Sequence, residues 1–262
     1  MDHSRRIGVH RFFEGISTVD TDLLACETLL HLYSNSIKIA SLLGTPTDLN
    51  ELFIGHALAE GYGSYPNAQI SHERMETGSI HLHMDLKLTP LHSADRIITS
   101  SCGACNNDGL DEISAHLPSF SSIHSPFIHD TVHHQLTVMK SLQSGFLDTG
   151  GMHAAALWCP DSGLQHLAED VGRHNAVDKS IGKALLANDS LDTKYLFLSG
   201  RCGWDIVAKA ARAGIGTIVC IGACSTLAAE TARYLGMRIF SFMKPQSNVG
   251  IGLLTPVTNN NP

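Results

Sequence analysis

The sequence predicts an α/β protein: a small N-terminal α+β domain over residues 1–113, joined to a C-terminal α/β domain over residues 114–262. Three observations carry that expectation. From residue 194 onward, apolar strand runs alternate with helical runs, "KYLFLSG", "RCGWDIVAKAARAG", "IGTIVCIGA", "STLAAETARYLG" and "MRIFSFM". Strands and helices alternating at this length predict a parallel or largely parallel sheet. Upstream, "SIHLHMDLKL" at 79–88 has period two, the mark of a half-buried strand in a mixed domain. Between these regions, "SAHLPSFSSIHSP" is rich in serine and proline and reads as a linker or mobile loop over 114–128.

Taken in order, the first firm element is a helix in "TPTDLNELFIGHALAEGYG", capped by Thr47 or Asp48, running to Glu60 and stopped by Gly61. In the strand at 79–88, Ile80, Leu82, Met84, Leu86 and Leu88 share one face, and His81, His83, Asp85 and Lys87 the other. Next come the apolar run before Cys102 and the turn-like "NNDG" after Cys105. Beyond the linker, "TVHHQLTVMKSLQSG" suits a helix ended by Gly145, and "GGMHAAALWCPDSG" a strand and turn. A longer helix follows "EDVGRHN", with Ala176, Ile181, Ala184 and Leu185 at helical spacing.

Composition excludes several function classes. With 262 residues and 43% hydrophobic side chains, the chain can bury one large core or two ordinary ones. A formal charge of −7 and the lack of a Lys/Arg block argue against a nucleic-acid partner. The opening "MDHSRRIGVHRFFEGIS" lacks the apolar core of a signal peptide, and no stretch of about 18 apolar residues occurs, so a cytoplasmic protein with no membrane partner is expected. Seven cysteines in such a chain should be thiols unless chemistry demands otherwise, with Cys26, Cys159 and Cys220 explained by packing. The 16 histidines close no HExxH or four-ligand pattern, so no bound metal is expected.

Ligands of α/β sheets gather beyond the carboxyl ends of the strands. Here those ends carry Ser199-Gly200-Arg201, Ala223-Cys224-Ser225 and Phe242 to Lys244. Backbone N–H groups opening a helix, with the guanidinium of Arg201, can converge on a phosphate, and Arg173 and Lys244 can add charge to the same rim. "GGMHAAAL" invites comparison with zinc nucleobase deaminases, which need His-x-Glu followed by Pro-Cys-x-x-Cys. Alanine stands at 155 in place of the carboxylate, and the sole Cys-x-x-Cys lies upstream, so that chemistry is not expected.

The pair Cys102-Gly103-Ala104-Cys105 can serve half a zinc site, a redox disulfide or a sulfur-carrying loop. Zinc needs a second ligand pair, and only Cys220 with Cys224 offers one. A thioredoxin-like motif needs a helix opening at its first cysteine, whereas here the turn-like Asn106-Asn107-Asp108-Gly109 follows Cys105 directly. An exposed thiolate with two small residues between the cysteines suits a sulfur handed between proteins.

"SCGAC", "TGGMHAAAL", "EDVGRHNAVDKSIGKAL" and "SGRCGWDIVAKAARAGI", in that order, resemble the formate dehydrogenase accessory sulfurtransferases, the FdhD family, and "LNELFIGHALAEGYG" matches its N-terminal block. The resemblance covers nearly the whole chain and rests most on "EDVGRHNAVDK". It implies a small α+β domain joined to a cytidine-deaminase-like α/β domain, paired as a homodimer. It implies a sulfur carrier that takes persulfide sulfur from a cysteine desulfurase. The sulfur passes to the molybdenum (or tungsten) bis-pterin guanine dinucleotide cofactor, bound as substrate, which then serves formate dehydrogenase. Carried onto this sequence, the sulfur-bearing residues are Cys102 and Cys105. The cofactor-binding segment is Phe242, Met243, Lys244, Pro245, Gln246 and Ser247, joined by Ser199, Gly200, Arg201 and Arg173. The chain departs from the family pattern at Ala223-Cys224-Ser225-Thr226, where an Ala-Pro-Thr-Ser turn is expected, and in its "NVGIGLLTPV" tail.

Overall fold

The computed structural model describes residues 2–64, 69–88, 114, 116–121 and 127–252. The chain opens with an antiparallel hairpin, β1 (Ser4–Phe13) and β2 (Ile16–Ala25), turned through Glu14 and Gly15 at φ 48° and 80°. Two successive positive φ values match the twist of the flanking strands, which is why such turns close two-residue hairpins. The same device, at Asn35 and Ser36, joins β3 (Thr28–Ser34) to β4 (Ile37–Gly44).

A four-stranded sheet in the order β4-β3-β7-β6 follows, with β6 at Ser71–Arg74 and β7 at Ile80–His83. Helix α1 (Leu49–Ala59) covers one face, burying Leu52, Phe53 and Ala57 with Leu30, Leu32, Ile80 and Leu82. The predicted alternation holds. Ile80, Leu82, Met84 and Leu86 are buried, while His31, His81 and His83 line the other face with Tyr33, rings 4.9–5.1 Å apart in the Tyr33–His83 and His31–His81 pairs. The strand itself breaks after His83, and residues 87–88 (β8) pair instead with β5 (Gly63–Ser64). Gly61 ends α1 at φ 70°, as expected. The N-terminal cap differs: Asp48 is left-handed, accepts no cap bond through its side chain, and pairs with Lys183 at 2.9 Å.

The second half is a six-stranded sheet, order β10-β9-β11-β12-β13-β14. Its strands are β9 (His153–Cys159), β10 (Gly163–Asp170), β11 (Tyr195–Leu198), β12 (Thr217–Cys220), β13 (Arg238–Lys244) and β14 (Ser247–Gly252). The β11–β12 and β12–β13 pairs are parallel, whereas the β10–β9, β9–β11 and β13–β14 pairs are antiparallel, so the sheet is mixed rather than largely parallel. Tight returns after Cys159 and Lys244 reverse the chain too soon for a crossover helix, and parallel strands need one. One face packs on α4 (Arg173–Leu186), α5 (Trp204–Arg212) and α6 (Thr226–Leu235) through Val177, Ile181, Ile206, Ala210 and Ala232. The other packs on α2 (His129–Ser141), where Val132, Leu136 and Met139 meet Trp158, Phe197 and Phe240. Gly145 does not end α2. It sits in the short α3 (Ser144–Thr149), where a Cβ would lie 2.3 Å from Met152 Sδ. The described part of the expected linker is docked: Leu117 is buried against the α/β core and Phe120 N donates to Leu235 O. Among the described residues no helix is long and apolar enough to cross a membrane.

The two halves meet through α1 and α4. A Cβ at Gly55 would lie 1.7 Å from Asp178 O, and one at Gly182 1.9 Å from Glu51 O, so the helices touch backbone to backbone. A charge network crosses the same joint. Lys209 Nζ reaches Glu60 at 2.6 Å and Asp178 at 2.8 Å, and His56 Nδ1 meets Asp178 at 2.8 Å.

Candidate functional site

Much of "EDVGRHNAVDK" turns out to brace this joint. The fully buried Asp170 accepts from Thr45 N at 3.0 Å, Gly172 N at 2.7 Å and Asn175 Nδ2 at 3.0 Å, and pairs with the equally buried Lys179 at 2.7 Å. Asn175 also donates to Leu43 O at 2.8 Å. Glu169 accepts from Gly145 N and Phe146 N, both at 2.8 Å, fixing the start of α3. A buried carboxylate so fully paired holds two segments in register, because losing one partner strands a charge. His174 meets Asp205 of α5. Arg173, the first residue of α4, acts instead through its charge on His153 of β9.

There the site assembles. Ser199 is committed to the sheet: its Oγ accepts from Ala154 N at 2.8 Å and its N–H donates to Ala154 O at 3.0 Å. Gly200 lies against His153, whose Nδ1 would be 3.3 Å from a Cβ at that position. Burial, then the positive charges of Arg173 and Arg201, holds the His153 imidazole below its ordinary pKa. In the sequence His153 stands out only as the counterpart of a deaminase ligand, not as a residue of this site. Its closeness to Gly200 depends on β9 pairing with β11, which no local pattern encodes.

Gly222 joins the neighbouring loop to this rim. A side chain there would meet Gly200 O at 2.9 Å and Arg201 Cγ at 3.1 Å, so glycine permits the close approach. Phe242 N donates to Gly222 O at 3.1 Å, and Phe242 takes φ 50° at a register shift between β13 and β14. Such an irregularity re-aims side chains, and Phe242 is half-exposed at this rim. The next residue, Met243, is buried in the core on the α2 face. Lys244 and Ser247 pair across the hairpin, with Pro245 and Gln246 exposed between them. His129 Nε2 donates to Pro245 O at 3.1 Å and Nδ1 accepts from Asn248 at 2.8 Å, pinning that turn to α2. The structure thus gathers Ser199, Gly200, Arg201, Arg173, His153 and Phe242, and directs Lys244, Pro245, Gln246 and Ser247 to an adjoining turn.

Guanidiniums at such a rim suit an anionic group such as a phosphate. Two surface grooves among the described residues lie elsewhere, at the joint near Thr47, Asp48 and Glu169. No group of three or more His, Cys, Asp or Glu among the described residues is placed to hold a metal ion. Cys102 and Cys105 lie outside the described residues, as does the tail from 253.

The description "FdhD/NarQ family" belongs to the family model that matches residues 25–249. The chain is 32% identical over 245 residues to the sulfur carrier protein FdhD of Burkholderia mallei, covering 88% of this chain and 89% of the relative. It is 30% identical over 249 residues to that of Sulfurisphaera tokodaii, covering 93% and 94%. A crystal structure from Desulfotalea psychrophila, described as a formate dehydrogenase accessory protein, shares the fold, with a TM-score of 0.73 at 22% identity and coverage of 96% and 98%.

Proposed function

The chain belongs to the FdhD/NarQ family, and from that membership we propose that it is a sulfur carrier serving formate dehydrogenase. Cys102 takes persulfide sulfur from a cysteine desulfurase, and the strand-end rim binds the molybdenum or tungsten bis-pterin guanine dinucleotide that receives it. The protein works in the cytoplasm as a homodimer. The observation that carries the binding half is the packing of His153 on Gly200, and of Gly222 on Gly200 and Arg201, with the positive charges of Arg173 and Arg201 both acting on the His153 ring, on a chain whose formal charge is −7. A phosphate-bearing ligand fits it by charge and by the donors at hand.

The carrier half rests on thiol chemistry. A free thiol is only about a few per cent ionised at neutral pH, and the thiolate is the nucleophile. The Cys102 thiolate attacks the terminal sulfur of the donor persulfide; an S–S bond forms on Cys102 and the donor cysteine leaves as thiolate. Attack by Cys105 on Cys102 Sγ then forms their disulfide and expels hydrosulfide. The transferred sulfur gains two electrons, the two thiols lose them, and a dithiol reductant restores the pair.

The test is the mass of the loop peptide after incubation with a desulfurase and free cysteine. One added, reductant-labile sulfur on Cys102 supports the reading. A chain that matures formate dehydrogenase without ever carrying that sulfur is a cofactor-binding chaperone instead.

A further inference from the structure

Beyond the carrier chemistry at Cys102 and Cys105 the chain has five other thiols, and the fold collects three of them at one edge of the rim. Cys202 follows Arg201 and is 1% exposed, Cys220 ends β12 fully buried, and Cys224 lies half-buried in the loop before α6. Cys202 and Cys224 are partners in an isolated parallel bridge, held by Cys202 N to Ala223 O at 3.0 Å and Ser225 N to Cys202 O at 3.1 Å. Bridge partners stand side by side, with the two chain segments about 4.8 Å apart. A disulfide accepts Cα separations of about 4.4–6.8 Å. The backbone therefore already holds the two cysteines at bonding range, and Gly222, between Cys220 and Cys224, is the residue packed on Gly200 and Arg201.

We propose that Cys202 and Cys224 form a second sulfur-handling dithiol at the edge of the strand-end site, where Cys224 accepts sulfane sulfur and Cys202 releases it as hydrosulfide beside the bound anionic ligand. The inference deepens the carrier reading and rests on it. The two thiols differ as this division of labour requires. A hydrogen bond from Cys202 holds the Cys224 thiol below its ordinary range, against the opposing effect of burial. That bond, with burial and the neighbouring thiols, pushes Cys202 well above its own. Cys220, pushed by burial up to about 12, stays a packed thiol.

The steps balance. The Cys224 thiolate attacks the terminal sulfur of an incoming persulfide, such as one on Cys102, and the donor leaves as thiolate. The Cys224 persulfide gives its proton to water. Cys202 then attacks Cys224 Sγ, forming the Cys202–Cys224 disulfide, and the terminal sulfur departs as hydrosulfide with the Cys202 proton. A dithiol reductant of the thioredoxin class returns both thiols.

The test uses the full chain with Cys102→Ser and Cys105→Ser, treated with inorganic polysulfide and read by peptide mass spectrometry and hydrosulfide assay. The expected result is a Cys202–Cys224 linked peptide pair and about one hydrosulfide released per linked pair, the ratio the thiol–disulfide exchange demands. Adding Cys224→Ser should abolish both. Adding Cys202→Ser should instead trap a persulfide on Cys224 without release. Absence of the linked pair together with absence of sulfur on Cys224 overturns the proposal; should the Cys202→Ser protein fail to fold, the parent and Cys224→Ser arms decide it. The unaltered chain separates the two readings. Sulfur on Cys102 with none at Cys224 sinks the second dithiol alone, whereas no sulfur at either place sinks the carrier reading as well.

Discussion

Glu60→Gln should weaken the joint by an amount that depends on pH in a calculable way. Glu60 is the residue that caps the C-terminal end of α1, and its carboxylate reaches Lys209 Nζ of α5 at 2.6 Å. Burial opposes its ionisation, but Lys209, His56 and Arg212 outweigh burial and bring its pKa down from 4.5 to about 2. The depressed value means that the stabilisation is fully present above about pH 4.5 and is lost as pH falls towards 2. At about 1.4 kcal/mol per pH unit, the full span corresponds to about 3 kcal/mol at pH 7 and about 1 kcal/mol at pH 3. The side chain is 30% exposed, so solvent screening trims both figures. Urea unfolding of wild type and Glu60→Gln at the two pH values reads the gap directly. A gap that is the same at pH 3 as at pH 7 would show that shape or packing, not charge, makes the contribution.

Three further outcomes follow from the geometry. Gly182→Ala drives a Cβ to 1.9 Å from Glu51 O, so the variant should lose about 1–3 kcal/mol or more as α1 and α4 separate; a denaturation midpoint equal to wild type would refute the backbone contact. Arg201→Ala removes a charge that depresses His153, so the His153 ring signal should titrate at higher pH in an NMR series, and an unmoved titration would place Arg201 away from the ring. Arg201→Ala and Lys244→Ala should each weaken guanosine diphosphate binding by about 1.5–3 kcal/mol, about ten- to a hundred-fold; calorimetry that fails to distinguish guanosine diphosphate from free phosphate would argue against a nucleotide site at this rim.

Local chemistry made part of this molecule legible in advance. The helix before Gly61, the alternation of Ile80, Leu82, Met84 and Leu86, and the strand–helix repeats after residue 194 all appear where period and punctuation place them. What escaped was long-range pairing. In β14, "SNVGIG" has two glycines and two apolar residues, too weak a strand signal to stand alone, and it is a strand because β13 offers an edge. β10 likewise exists by pairing with β9. The roles within "EDVGRHNAVDK" were unreadable from spacing, because Asp170 and Lys179 answer to Thr45 and Asn175 to Leu43, more than a hundred residues upstream. Ser199, Gly200 and Arg201 follow directly on the end of β11, so their place is legible in the sequence, while His153 and the Cys202–Cys224 bridge required the sheet order. Cys159 and Cys220 are buried, as a packing explanation requires.

The most direct test of the central claim is formate dehydrogenase activity in cells whose own carrier has been deleted and replaced by this chain bearing Cys102→Ala. The protein level must match wild type, and the cofactor must still bind. The sulfur-carrier account predicts activity no higher than in cells without any carrier; activity at the wild-type level would contradict it.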